Sequence, residues 1–139
     1  RMRDMETLQY TRAADIPAAQ GTMVPVTMEP FLGSWINTNS ASRGITSFTL
    51  TQEGDAVMIH PVAAESPADW GSEEITAYAA GVDGGKLSAF NALFDAEFVE
   101  TFLAANLNAG LIIIAAYTRF KDGSDRSNYF SREFYYHDK

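Results

Sequence analysis

The chain has 139 residues, of which 46% are hydrophobic and 20% are charged, and its formal net charge is -8. That length suits one domain with a sizeable core, and 9 Phe, 6 Tyr and 2 Trp residues exclude global disorder. The absence of cysteine excludes a disulfide scaffold and a thiol nucleophile, and no apolar run approaches the roughly 20 residues of a membrane-spanning helix.

The negative charge is concentrated in the middle of the chain. Between Gly44 and Thr118 there are ten Asp and Glu residues, and Lys86 is the only Lys or Arg. Neutralising nucleic-acid phosphates requires clustered Lys and Arg, so we expect no nucleic-acid partner. A solvated, acidic surface is the simplest interpretation.

Residues 1–30 differ from the remainder of the chain. Pro17, Pro25 and Pro30 interrupt an Ala-, Thr- and Met-rich stretch without a sustained apolar period. We therefore divide the chain into an irregular N-terminal arm, 1–30, and a barrel domain, 31–139. An arm of this kind could lie on a neighbouring copy in a homo-oligomer. For location we favour the cytoplasm, with secretion the alternative if a leader was removed.

From Phe31 onward, turn residues recur at short intervals between segments rich in β-branched and aromatic residues. The spacing predicts strands at about 32–37, 44–52, 56–63, 73–80, 86–94, 97–105, 111–120 and 129–137. We predict an all-β fold, an eight-stranded antiparallel up-and-down β-barrel. Closing such a sheet removes its exposed edges and leaves room for side chains or one small ligand.

One segment allows two interpretations. Between Leu93 and Leu107, apolar residues also fit a helical stripe with a period of 3.6 residues. Val99, Thr101 and Phe102 favour a strand, and the turn that ends at Gly110 suits a hairpin. A helix here would make the domain α+β.

Two short patterns carry a family resemblance. Gly33-Ser34-Trp35 opens the first strand of the β region, and Arg132 lies in the last. This resembles the calycin superfamily of lipocalins, fatty-acid-binding proteins and avidins. The resemblance implies that Arg132 packs over the Trp35 indole and closes one end of the barrel. With an inward Arg132, the alternation of a strand would also turn Phe130, Phe134 and Tyr136 inward.

A longer pattern is similar to small bacterial lipocalin-like domains of unsettled activity. It comprises Gly33-x-Trp35-x-Asn37-x-Asn39, Asp69-Trp70-Gly71, and Tyr117-x-Arg119-Phe120-x-Asp122-Gly123-Ser124-x-Arg126-x-x-Tyr129. The resemblance spans roughly residues 31–136, and the usual lipocalin helix and long opening loop are not evident. The avidin-like, short-calycin end of the superfamily is the better match.

Two residues are candidates for catalysis, His60 and Tyr117. His60 shares one strand face with Met58 and Val62. If that face is interior, burial would lower the pKa of His60 and suit it to ligand contact or general-base chemistry. The simpler interpretation is a hydrogen-bonded histidine in the core or at the rim. The two histidines lack metal-ligand spacing, so we expect no metal site, and no fingerprint for a nucleotide or other cofactor is present.

Polar and aromatic side chains that could face the interior are the candidates for ligand binding. Trp70 lies in an acidic loop that could cover one mouth of the barrel or fold back on its surface. The full set of candidates is Trp70, Tyr78, Phe90, Asn91, Tyr117, Arg119 and Tyr129.

Three functions fit this sequence. The first is a protein that binds a small, mainly apolar molecule inside the barrel. The alternative is a cofactor-independent cyclase or isomerase of small-molecule or natural-product biosynthesis, with the same cavity as its active site. The third is a filled barrel that serves as an interaction module. A cavity that orients a ligand and one that activates it use the same residue types, so the first two stay open.

Overall fold

A computed structural model describes residues 26–139, which fold into a domain built from β-strands. A single turn of 3-10 helix, Glu29–Phe31, follows the first strand. The strands are β1 (Val26–Thr27), β2 (Gly33–Asn37), β3 (Ile45–Glu53), β4 (Ala56–Ala63), β5 (Glu73–Glu74), β6 (Thr76–Ala79), β7 (Gly85–Asp95), β8 (Val99–Asn108), β9 (Leu111–Phe120) and β10 (Tyr129–Asp138).

The all-β prediction is confirmed, and each predicted strand overlaps an observed one. The segment that allowed either a strand or a helix is strand β8. The predicted strand at 73–80 is divided into β5 and β6, because Ile75 turns its side chain into the core between them. The amide of Ile75 donates a hydrogen bond to the carbonyl of Val57, 2.9 Å away.

The strands form one sheet in the order β1-β7-β8-β9-β10-β2-β3-β4-β5, with β6 also paired to β7. The long strands are antiparallel to their neighbours, whereas the short β1 runs parallel to β7. Residues 1–25 of the predicted N-terminal arm lie outside the described residues. The last part of that arm pairs with the domain, since Val26 and Thr27 are opposite Gly85 and Lys86 and Met28 is buried.

The prediction of a closed eight-stranded barrel is wrong. The sheet is an open, strongly curled half-barrel of ten strands. The short strand β5 pairs with β4 at one side of the opening, and the short strand β6 pairs with β7 at the other side. In the chain, only Ile75 separates β5 from β6. Within residues 26–139, β5 and β6 form no ladder with each other, so the hydrogen-bonded path does not close.

A tight hairpin joins β8 to β9. Ala109 and Gly110 form its two-residue loop, with φ angles of 53° and 83°. Positive φ at both central residues is the signature of a type I′ turn, whose twist matches that of the flanking strands. Glycine adopts this backbone readily, whereas alanine does so at an energetic cost.

The concave face of the sheet forms the hydrophobic core. Phe48 contacts both Phe90 and Tyr135 edge-on, with ring centroids 6.5 and 5.1 Å apart. Buried residues alternate along the strands, as in Val57 and Ile59 on β4 or Ile112 and Ile114 on β9. This alternation decides which side chains face the interior and which lie on the outer face.

The described part of the chain has no helix of the length and apolarity that crossing a bilayer requires.

Candidate functional site

A cavity of about 590 Å³ opens at one end of the half-barrel. Inward side chains of β8, β9 and β10 form its floor, and Trp70 and the loop between β2 and β3 complete its wall. Ile114 and Ala116 make part of the floor apolar, and Thr118 makes part of it polar. The volume is in the range of sites that hold small molecules.

Glu133 brings a carboxylate to this cavity from the centre of β10. Its Oε2 accepts a hydrogen bond from the Ser42 hydroxyl at 2.8 Å, and the Ser42 Oγ accepts one from the amide of Gly44 at 3.1 Å. A Cβ placed on Gly44 would lie 3.1 Å from the same carboxylate oxygen. Ser42 and Gly44 therefore fix the position of Glu133 against the β2–β3 loop.

Tyr135 adjoins Glu133 on the inward face and is almost completely buried. Its hydroxyl donates to the carbonyl of Ile45 at 2.8 Å, and the Asn37 side-chain amide donates to the same oxygen at 2.9 Å. Burial, followed by the negative charge of Glu133, raises the pKa of Tyr135 well above its ordinary value. Tyr135 is thus a neutral hydrogen-bond donor that anchors the start of β3.

A pair of hydroxyls lies deeper on the cavity floor. Thr101 and Thr118 are both buried and directly opposite across β8 and β9, and their Oγ1 atoms are 3.1 Å apart. The two hydroxyls share one hydrogen bond, so each has a polar partner, as is usual for buried hydroxyl groups. Polar atoms of the floor are therefore already held in place without a ligand.

Trp70 is half-buried, and it packs edge-on against Phe94 of β7 with ring centroids 5.6 Å apart. Its amide donates to the carbonyl of Pro61 at 3.3 Å, which holds the loop against β4. The sequence allowed this loop either to cover the mouth of the barrel or to fold back on its surface, and the position of Trp70 has features of both. Trp70 contacts the inner face of the sheet and also lines the cavity.

His60 lies on the outer face of β4, because Val57, Ile59 and Pro61 are the residues of that strand that face the core. Its Nε2 is 2.5 Å from Oδ1 of Asp69. The amide of Gly71 and the His60 ring together lower the pKa of Asp69, with the Gly71 hydrogen bond the larger cause. His60 therefore holds the Trp70 loop from outside and does not contact the cavity.

The structure also places Tyr117, Arg119, Tyr78 and Asn91 on the outer face. Tyr117 is 52% exposed, and Arg119 forms an ion pair with Glu100. Asn91 donates a hydrogen bond to the Tyr78 hydroxyl at 2.9 Å across β6 and β7. These four candidates for ligand binding are therefore separated from the cavity by the sheet itself.

Of the remaining candidates, Tyr129 lines the cavity and Phe90 belongs to the core. Tyr129 lies at the start of β10, and its ring is 6.1 Å from that of Phe120. Phe90 is 1% exposed and packs against Phe48. The structure thus brings Trp70 and Tyr129 together at the cavity.

The packing expected between Trp35 and Arg132 is not observed. The Arg132 guanidinium lies over the Phe134 ring, 5.5 Å from its centroid. His137 takes the expected place and stacks on the Trp35 indole with ring centroids 4.3 Å apart and planes 2° from parallel. An imidazole ring, and not a guanidinium, is therefore the stacking partner of Trp35.

The orientation expected for β10 is reversed. Phe130, Arg132, Phe134 and Tyr136 lie on the outer face, with Arg132 at the border of the cavity, whereas Glu133 and Tyr135 face inward. The expected orientation followed from the inward Arg132 that the calycin resemblance implied, and it therefore missed Ser131, Glu133 and Tyr135. The signal that could have found them is the register with β2, since Trp35 is directly opposite His137 and Asn37 is opposite Tyr135.

Large apolar and aromatic residues form a continuous row across the outer face of four strands. Leu93, Phe102, Tyr117 and Phe130 are consecutive cross-strand partners on β7, β8, β9 and β10. All four are exposed, and the Tyr117 and Phe130 rings are 5.1 Å apart. Apolar character on both faces explains why hydrophobic alternation alone could not assign the interior.

No protein-family model, no curated protein and no solved structure matches this chain. The calycin resemblance is therefore supported only by the curled all-β sheet, which is compatible with a barrel fold. Across residues 26–139, no three His, Asp or Glu side chains are grouped as a metal site would need.

Proposed function

We propose that this protein binds a small, mainly apolar molecule in the cavity of the half-barrel. The observation that carries the proposal is the cavity of about 590 Å³ between Trp70 and the inward faces of β8 to β10. Its wall combines apolar surface from Ile114 and Ala116 with a few fixed polar groups, such as Glu133. Binding sites for small molecules are typically apolar clefts in which a few polar groups set the orientation.

The polar groups of the cavity are fixed by hydrogen bonds within the protein before any ligand binds, and this favours a binding function. The Ser42 hydroxyl positions Glu133, and the Ile45 carbonyl accepts hydrogen bonds from Asn37 and Tyr135. Because these groups need no reordering when a ligand arrives, the entropic cost of binding is reduced. The candidate catalytic residues His60 and Tyr117 lie on the outer face, so neither supports a cyclase or isomerase reaction in this cavity.

The test uses the neutral fluorescent probe N-phenyl-1-naphthylamine and two neighbouring alanines. Ala116 lines the cavity, whereas Ala115 projects from the opposite face of β9. Ala116→Phe should fill part of the cavity and weaken probe binding by about tenfold or more, and Ala115→Phe should leave affinity within about twofold of the parent. His60→Ala and Tyr117→Phe should also bind like the parent.

Equal probe affinity in the Ala116→Phe and Ala115→Phe proteins, with both folded by circular dichroism, would contradict the proposal. Native mass spectrometry of probe-loaded protein adds a second measurement. The protein should retain one probe molecule in the cavity, and the Ala116→Phe protein should retain less probe than the Ala115→Phe protein.

A further inference from the structure

Two arginines and two glutamates border the cavity, and only one pair of them forms an ion pair. Arg43 and Glu65 at the rim form an ion pair at 2.5 Å, and the guanidinium of Arg132 lies over Phe134. The remaining charged side chain of the wall is Glu133. Within residues 26–139, no lysine, arginine or histidine lies within ion-pair distance of its carboxylate.

The hydrogen bonds of Glu133 leave room for another donor. Oε2 accepts from Ser42, and among residues 26–139 no donor is in hydrogen-bond range of Oε1. A carboxylate is an acceptor with about four lone-pair positions, so it can accept further hydrogen bonds. A donor of positive charge is favoured, since it adds the attraction of opposite charges to its hydrogen bond with the carboxylate.

The net charge of the whole chain also favours a positively charged ligand. Its formal net charge is -8, and a negative field attracts cations toward clefts lined by carboxylates. Trp70 and Tyr129 also line the cavity, and aromatic side chains attract ammonium groups.

We propose that the ligand of the half-barrel cavity carries a protonated amine, which Glu133 binds while Trp70, Ile114 and Ala116 contact its apolar remainder. This inference rests on the proposed function and adds the chemical class of the ligand. The Ser42 hydroxyl is a positioning group, because it holds one carboxylate oxygen and leaves the other for the ammonium.

The experiment compares n-decylamine, 1-decanol and decanoic acid, which share one alkyl chain and differ in the charge of the head group. Binding is followed at neutral pH and low salt by the emission of Trp70 in a Trp35→Phe protein, whose single tryptophan lies at the cavity. We expect the amine to bind about tenfold or more tightly than the alcohol and the acid to bind most weakly.

Glu133→Gln tests the carboxylate directly, because glutamine keeps the size and an oxygen acceptor for Ser42. It should remove the preference for the amine and leave the affinity for 1-decanol unchanged. The matched control is Glu53→Gln, which removes the same charge from an exposed position in the hairpin between β3 and β4 and should retain the preference.

The outcomes separate this inference from the proposed function. Equal binding of amine and alcohol by the Trp35→Phe protein would overturn the amine class, and a preference unchanged by Glu133→Gln would overturn the role of Glu133. A cavity-binding function stands in both cases. Failure of all three compounds and of N-phenyl-1-naphthylamine to bind would overturn both. Where Glu133→Gln fails to fold, the comparison of n-decylamine with 1-decanol in the Trp35→Phe protein still tests the chemical class of the ligand.

Discussion

Trp35 and His137 are directly opposite each other on β2 and β10, and their rings stack almost parallel with centroids 4.3 Å apart. Each ring is also fixed at its edge. The Trp35 indole N–H donates to the carbonyl of Phe31 at 2.9 Å, and His137 Nε2 lies 2.8 Å from the carbonyl of Leu32. This pair joins the first long strand to the last and closes one end of the core.

Removing that stack should destabilise the fold. His137→Ala deletes an aromatic contact and a hydrogen bond, so we expect the free energy of unfolding to fall by about 1–2 kcal/mol in urea denaturation. Arg132→Ala is the control, because the Arg132 side chain is exposed and its guanidinium, 5.5 Å from the centroid of Phe134, should contribute less than about 1 kcal/mol. A larger loss for Arg132→Ala than for His137→Ala would restore the arginine of the calycin pattern as the stacking partner.

The β8–β9 hairpin should be improved by a residue that tolerates positive φ. Ala109 is the only non-glycine residue with positive φ among residues 26–139. Ala109→Gly should raise the free energy of unfolding by about 0.5–1 kcal/mol, because the left-handed backbone costs glycine nothing. Ala104→Gly, in the middle of β8, should lower it. Destabilisation by both substitutions would show that the alanine side chain, and not the turn, determines stability here.

Tyr135 should make the protein sensitive to alkali. Because burial raises its pKa in the folded state, the folded protein binds a proton that the unfolded chain releases near pH 10. The stabilising contribution is therefore complete below about pH 10 and is lost as the pH rises above that value. Thermal unfolding as a function of pH should show a shallower alkaline decline for Tyr135→Phe than for the parent. An identical decline in the two proteins would mean that Tyr135 ionises in the folded state at its ordinary pKa.

Two phenylalanines on adjacent strands should differ sharply in their contribution to stability. Phe90 on β7 is 1% exposed in the core, whereas Phe102 on β8 is 38% exposed on the outer face. We expect Phe90→Ala to cost about 3–5 kcal/mol of unfolding free energy and Phe102→Ala less than about 1 kcal/mol, measured by chemical denaturation. Equal costs would contradict the assignment of inner and outer faces.

The secondary structure was predictable because it depends on local signals. Turn residues such as Gly54 and Gly110 punctuate stretches rich in β-branched and aromatic side chains, and these signals act over a few residues. The division of one predicted strand at Ile75 was not predictable. It results from Ile75 entering a core whose other members come from distant strands.

The candidate site was predicted less well, because it depends on which face of each strand is buried. Met58, His60 and Val62 were correctly placed on one face of β4, but that face is the outer one. On β9, Tyr117 and Arg119 alternate with Ile114, Ala116 and Thr118, and only the second set faces the cavity. A shift of one residue exchanges the two faces of a strand, so a correct strand can still give the wrong site.

The sequence by itself determined an acidic, cysteine-free chain whose β region is divided into strands by its turns. Only the tertiary structure decided that the sheet stays open, that His137 and not Arg132 stacks on Trp35, and that Glu133 faces the cavity. The physical reason is the register between β2 and β10. Trp35 must enter the core, so its direct partner His137 does too, and every second residue of β10 follows it inward.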